Sequence, residues 1–339
     1  MTKGRMKIGY ALGGGAARGL SHIGVLKVLE EYGIYPDIIA GTSIGAIVGA
    51  LYAGGYKPIE IEQIVLGLDW KKLVYLVDMT LPISGLLKGK KVVSLLTSIL
   101  GDLTFSQLGC AFACVATDIT NGAQVVLRDG SLIEAVRASI SIPGIFTPVA
   151  IKGRNLVDGG LVNTVPVSVC REMGAGYVIA VNVIPEPSKL MNNTSEDQQY
   201  HVYEPTKLGG NDLAMIPIIH SHSLRSRIDA IENASKMFFV SHRPKRWRKI
   251  LESPPLSEPN KARRLRTKSP GLIEVLSQTW TIAEYRIAVE NLKDADLAIS
   301  PDVEEIGFWQ FSNAAQAITA GEKAARMALE GNKLVNLLG

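Results

Sequence analysis

The chain has only three cysteines, Cys110, Cys114 and Cys170, with no Cys-x-x-Cys pair and no histidine spacing suited to zinc. This excludes a disulfide framework and a zinc ribbon, and it leaves three buried, reduced thiols as the expectation. No stretch approaches 18 uninterrupted apolar residues, so no transmembrane helix is expected. The apolar run between Lys7 and Gly13 is too short for the hydrophobic region of a signal peptide, and a cytoplasmic protein is expected. Histidine is also scarce. His22 lies in the first turn of a predicted helix, where a structural role is expected, and His201, His220, His222 and His242 fall in a polar middle segment without a motif. A dinucleotide fingerprint is missing as well, because Gly-x-Gly-x-x-Gly counted from Gly13 meets Arg18 at its sixth place, and no Gly-Lys-Ser/Thr marks a P-loop.

The 339 residues suit one large α/β domain or two modest ones, and 47% hydrophobic against 20% charged residues excludes a disordered chain. The net charge of +4 is unevenly placed: Ser241 to Lys268 carries ten Lys/Arg against two Glu, a local +8 that leaves the rest of the chain negative. Arg243-Pro244-Lys245-Arg246-Trp247-Arg248-Lys249 sets tryptophan among cations, which suits an anionic membrane surface. The same composition suits a nucleic-acid backbone track, but no nucleic-acid fold accompanies it and no nucleic acid is expected.

Three motifs stand in order along the chain. Ile8 to Leu12 reads as a buried strand running into Gly13-Gly14-Gly15-Ala16-Ala17-Arg18-Gly19, with a helix from about Ser21 to Tyr32 behind it. Three successive glycines suit a nest of backbone N–H groups lying close to an anionic oxygen. Ile38 to Ala46 then reads as strand, sharp turn and helix around Gly41-Thr42-Ser43-Ile44-Gly45, the layout of a nucleophile elbow with the Ser43 hydroxyl at the start of a helix. Further strands are predicted at Ala111–Thr117, Gln124–Leu127, Val149–Ile151 and Asn155–Val157, the last ending at Asp158-Gly159-Gly160. An aspartate at a strand end followed by two glycines is held by backbone, as a catalytic carboxylate is presented. Met79 to Gly89 is an unusually apolar loop that either covers core or rims a substrate groove.

Together these features resemble the patatin-like phospholipase family. The glycine loop is similar to that family's oxyanion loop, Gly41 to Gly45 to its nucleophile elbow, and Asp158-Gly159-Gly160 to its Asp-Gly-Gly/Ala motif. Ala138-Ser139 through Pro143, Phe146 and Pro148-Val149 is similar to a fourth block. The resemblance implies a three-layer α/β/α fold with a largely parallel central sheet. It divides the chain into a catalytic core at 7–185, a polar and basic insertion at 186–270, and a mostly helical C-terminal part at 271–339 that packs on the core.

The resemblance also implies a Ser–Asp dyad, with Ser43 as nucleophile and Asp158 as general base. Gly13, Gly14, Gly15 and Ile44 are the expected oxyanion donors. Arg18 is expected to order the loop or to meet a phosphate head group. No metal and no cofactor are expected. Desolvation must lift the aspartate well above its ordinary ~3.9 for it to serve as a base. The implied activity is hydrolysis of a phospholipid or another carboxylic ester, with peripheral contact at an anionic inner membrane face through Arg243 to Lys268. An acyltransferase would share every motif, and a non-catalytic lipid-binding adaptor would share the fold.

Overall fold

The computed structural model describes residues 5–68, 89–187 and 272–332. These fall in one compact unit, to which Met1–Glu196 and Pro270–Gly339 are assigned. The apolar loop at 79–89, apart from Gly89, lies outside the described residues, as do the basic segment at 243–268 and the four histidines from His201 to His242.

Strands β1 (Ile8–Leu12), β2 (Ile38–Thr42), β3 (Ala111–Asp118), β4 (Gln124–Leu127), β5 (Val149–Ile151), β6 (Arg154–Asp158), β7 (Tyr177–Val181) and β8 (Leu297–Ile299) form one sheet. Its order is β5-β6-β3-β2-β1-β7-β8, with β4 on β3. The middle of the sheet, from β3 through β8, is parallel. Strands β4, β5 and β6 join antiparallel at one side. The central strands have no polar face: their residues alternate between two apolar layers, as the pleat requires when helices cover both sides. Tyr10, Leu12, Ile39, Phe112, Cys114, Ile179 and Val181 enter one layer. Ala11, Ile38, Ala40, Ala113, Val115, Val178 and Ala180 enter the other.

The first layer is covered by α1 (Ser21–Glu31), α2 (Ile44–Ala53), α3 (Pro58–Gly67), α4 (Lys90–Leu100), α5 (Leu132–Ser139) and, from the far end of the chain, α8 (Ala314–Leu329). The second is covered by α6 (Val167–Glu172) and α7 (Leu272–Asn291). Helices α1 and α8 meet backbone to backbone. A Cβ added to Gly24 would lie 2.0 Å from the Ile318 carbonyl oxygen, and one added to Gly321 would lie 2.0 Å from that of Ser21.

One detail of register positions the site. Cys114 and Val115 pair with both β2 and β4, so those two strands lie on opposite edges of β3. Ala116 and Thr117 pair with both β4 and β6, so β6 lies on the same edge as β2. Strand β2 leaves that edge at the pair Thr42–Val115, and β6 takes it over at Asp158–Ala116. The residue after Thr42 therefore arrives beside Asp158.

Candidate active site

Ser43 sits between β2 and α2 at φ 53° and ψ −119°, a conformation that side chains rarely adopt and that costs on the order of 1–3 kcal/mol. The surroundings hold it there. Its N–H donates to Ser139 Oγ at 2.9 Å, and its carbonyl accepts from the Ala46 and Ile47 amides. The flanking glycines are required by contact. A Cβ on Gly41 would lie 2.5 Å from the Gly45 carbonyl oxygen, and one on Gly45 only 2.1 Å from that of Leu12. The hydroxyl donates to Asp158 Oδ2 at 2.6 Å, in a site where Ser43 is 5% and Asp158 0% exposed.

Asp158 is fixed on every side. Its other oxygen accepts from the Gly160 amide at 2.8 Å, its own N–H donates to the Ser141 carbonyl, and its carbonyl accepts from Thr117 Oγ1. Gly159 rests on Val115, where a Cβ would meet the carbonyl oxygen at 2.4 Å. Burial pushes the Asp158 carboxyl up to about 7, against the hydrogen bonds from Ser43 and Gly160, which pull it down.

The glycine loop corrects one expectation. The Gly13 amide donates to the Val181 carbonyl at 3.1 Å, and the Gly14 amide to that of Thr164 at 2.9 Å. Both N–H groups are thus engaged, one by the end of β7 and the other by the segment before α6. Gly15, at φ 140°, donates to no carbonyl among the described residues. Ile44 opens α2, so its N–H has no acceptor within the helix and sits at the positive end of the dipole. Gly14 contributes space instead: a Cβ there would lie 3.1 Å from Glu284 Oε1 and 3.6 Å from Ser43 Cβ.

Arg18 is buried, and its Nε donates to the Ile306 carbonyl at 2.8 Å, tying the loop to the stretch before α8. The guanidinium presents almost no surface. His22 is fully buried with Nε2 2.8 Å from the Gly13 carbonyl oxygen. Burial lowers it to about 4, so it stays neutral at physiological pH and braces the loop.

Glu284 on α7 is the residue that sequence reasoning missed. It is 2% exposed and lies close enough to Asp158 to feel its charge. Thr281, Glu284 and Ala288 share one buried face of α7 at helical spacing. A glutamate on that stripe was the available signal. Burial first, and the Asp158 charge second, push its carboxyl up to about 8. An apolar cluster of Ala16, Ile142 and Phe308, with Ile145 and Trp280 against it, is built from residues next to the loop, to Ser141 and to Glu284.

A strained serine at a βα turn, at the start of a helix and hydrogen-bonded to a buried aspartate, gives an α/β protein with the layout of a nucleophile elbow. Residues 10–171 match the family described as patatin-like phospholipase. An uncharacterized NTE family protein of Mycobacterium tuberculosis is 29% identical, the match covering 96% of this chain and 91% of that protein. Human patatin-like phospholipase domain-containing protein 6 is 39% identical over 183 residues, covering 52% of this chain and 13% of that much longer protein. Among solved structures, VipD from Legionella pneumophila superposes with a TM-score of 0.44 at 14% identity, over 93% of this chain and 75% of that one. Residues 10–171 thus form a patatin-like phospholipase domain.

Proposed function

We propose that the protein is a serine lipid acyl hydrolase that cleaves carboxylic esters of phospholipids or simpler lipids through an acyl-enzyme on Ser43. The observation that carries this reading is the 2.6 Å hydrogen bond from Ser43 Oγ to Asp158 Oδ2 in a buried site. An ordinary carboxylate is too weak a base for a serine hydroxyl, but one held near 7 is matched to proton transfer at neutral pH. Asp158 takes the proton as Ser43 Oγ attacks the ester carbonyl. The Ile44 and Gly15 amides face the charge that develops on the carbonyl oxygen. Collapse breaks the bond to the leaving alcohol, which receives the proton from Asp158. A water then attacks the acyl-enzyme while Asp158 accepts its proton, and Ser43 is released.

The lipid character of the substrate is supported by the family and by the apolar cluster beside the loop. Arg243 to Lys268, within the proposed insertion at 186–270, would bring the enzyme to an anionic membrane surface from the cytoplasm. Among the described residues no helix is long and apolar enough to cross a membrane. A panel of p-nitrophenyl esters of rising chain length, run beside phospholipid vesicles with and without an acceptor alcohol, tests the reading. Hydrolysis by wild type and none by Ser43→Ala supports it. Acyl transfer to the alcohol in preference to water would make the protein an acyltransferase, and inactivity on every ester would make it an adaptor.

A further inference from the structure

Two of the four expected oxyanion donors, the Gly13 and Gly14 amides, are engaged elsewhere, which leaves Gly15 and Ile44. The Glu284 carboxyl lies against the same loop. Its Oε1 lies 3.1 Å from the point a Cβ on Gly14 would occupy, and Ser43 Cβ lies 3.6 Å from that same point. Carboxyl and serine therefore both border the space that a Gly14 side chain would fill. Oε1 also lies 2.6 Å from where a Cβ on Gly160 would be, so both glycines leave room for this carboxyl. Oε2 is buried without a hydrogen-bond partner. Trp280, one turn earlier on α7, hydrogen-bonds to the carboxyl.

We propose that Glu284 is a third catalytic group, whose neutral carboxylic acid donates a hydrogen bond to the oxyanion formed when Ser43 attacks the ester. This rests on the hydrolase reading above. The titratable and charged groups facing Glu284 are Asp158 from the end of β6 and Arg18 from the turn after the glycine loop. The two buried carboxyls do not readily ionise together. The Asp158 charge and the dry surroundings hold the proton on Glu284, up to about 8. A carboxylic acid kept neutral in this way is a hydrogen-bond donor at pH 7. In the attack the Ser43 Oγ–carbon bond forms, the carbonyl π pair moves to oxygen, and the serine proton passes to Asp158. Glu284 keeps its proton and shares it with the new oxyanion. The division of labour is one carboxylate that accepts and one carboxylic acid that donates.

The test is steady-state hydrolysis of a soluble short-chain p-nitrophenyl ester from pH 6 to 10 by wild type, Ser43→Ala, Glu284→Gln and Glu284→Ala. Loss of one oxyanion donor costs about 10²–10³ in kcat. Glu284→Ala should therefore fall by about that factor with KM little changed. Glu284→Gln, which keeps an N–H donor of similar reach, should retain kcat within about tenfold. Wild type should lose activity as pH rises through about 8, and Glu284→Gln should lack that alkaline limb. Equal kcat for the Ala and Gln variants, or an alkaline limb that persists in Glu284→Gln, overturns the proposal. Undiminished turnover by Ser43→Ala overturns it together with the hydrolase reading, whereas a dead Ser43→Ala with a fully active Glu284→Ala sinks the proposal alone.

Discussion

Replacing Asp158 by Asn should abolish turnover and at the same time stabilise the fold, by an amount that depends on pH. The carboxyl is held at about 7 in the folded protein against an ordinary value of 3.8. The folded state thus binds its proton more tightly than the unfolded state does, and stability falls as pH rises between those two values. Below about 3.8 both states are protonated and the carboxyl costs nothing; above about 7 both are ionised and the full cost is present. At about 1.4 kcal/mol per tenfold in proton affinity, that cost is about 4 kcal/mol at most. Asn is neutral at every pH, nearly the same shape, and able to accept from the Gly160 amide. The ionised Asp158 also raises Glu284, so its removal eases a second buried carboxyl. Urea unfolding of wild type and Asp158→Asn from pH 4 to 9 reads the difference directly. The variant should match wild type near pH 4 and gain steadily up to about pH 8, where Glu284 has ionised as well, then hold its lead. A lead that does not change with pH would refute the buried, raised carboxyl and with it the base that the mechanism needs.

A base at Asp158 must be ionised to accept a proton, so the acid limb of kcat/KM for wild type should rise with pH through about 7, ahead of the alkaline fall assigned to Glu284, as a pH–rate profile on a soluble ester will read. Gly14→Ala would place a Cβ 3.1 Å from Glu284 Oε1, in space that Ser43 also borders, so kcat should drop far more than KM rises. Gly24→Ala or Gly321→Ala would force α1 and α8 apart at contacts of 2.0 Å and should destabilise by about 1–3 kcal/mol in chemical denaturation. Reversing Arg246, Arg248, Arg263 and Arg264 to Glu should weaken sedimentation with anionic vesicles and leave short-chain ester hydrolysis unchanged; equal losses in both assays would assign the segment to the fold.

What could be read from the sequence follows from how local each constraint is. The elbow is written in five residues because Gly41 and Gly45 are demanded by contacts within their own strand–turn–helix unit and the neighbouring strand. Asp158-Gly159-Gly160 is equally compact: one glycine amide binds the carboxylate, and the other glycine rests on β3. Whether a loop amide is free is a different matter. Gly13 and Gly14 look alike as sequence, and only Val181 and Thr164 decide that their N–H groups are engaged. The antiparallel arrival of β6 on the edge vacated by β2 is likewise a long-range pairing with no local signature. Glu284 comes from a helix beyond the middle segment, and a glutamate among helix formers such as Ala283 and Ala288 reads as an ordinary solvated position until the packing of α7 is known.

The central claim is that Ser43 carries the acyl group and that Asp158 makes it able to do so. Mass spectrometry of the Ser43 peptide after rapid acid quench, during turnover of a p-nitrophenyl ester, tests both halves together. The account predicts one acyl adduct on Ser43 in wild type and almost none in Asp158→Asn at the same time point. An adduct on another residue, or equal acylation of Ser43 in the two proteins, would contradict it.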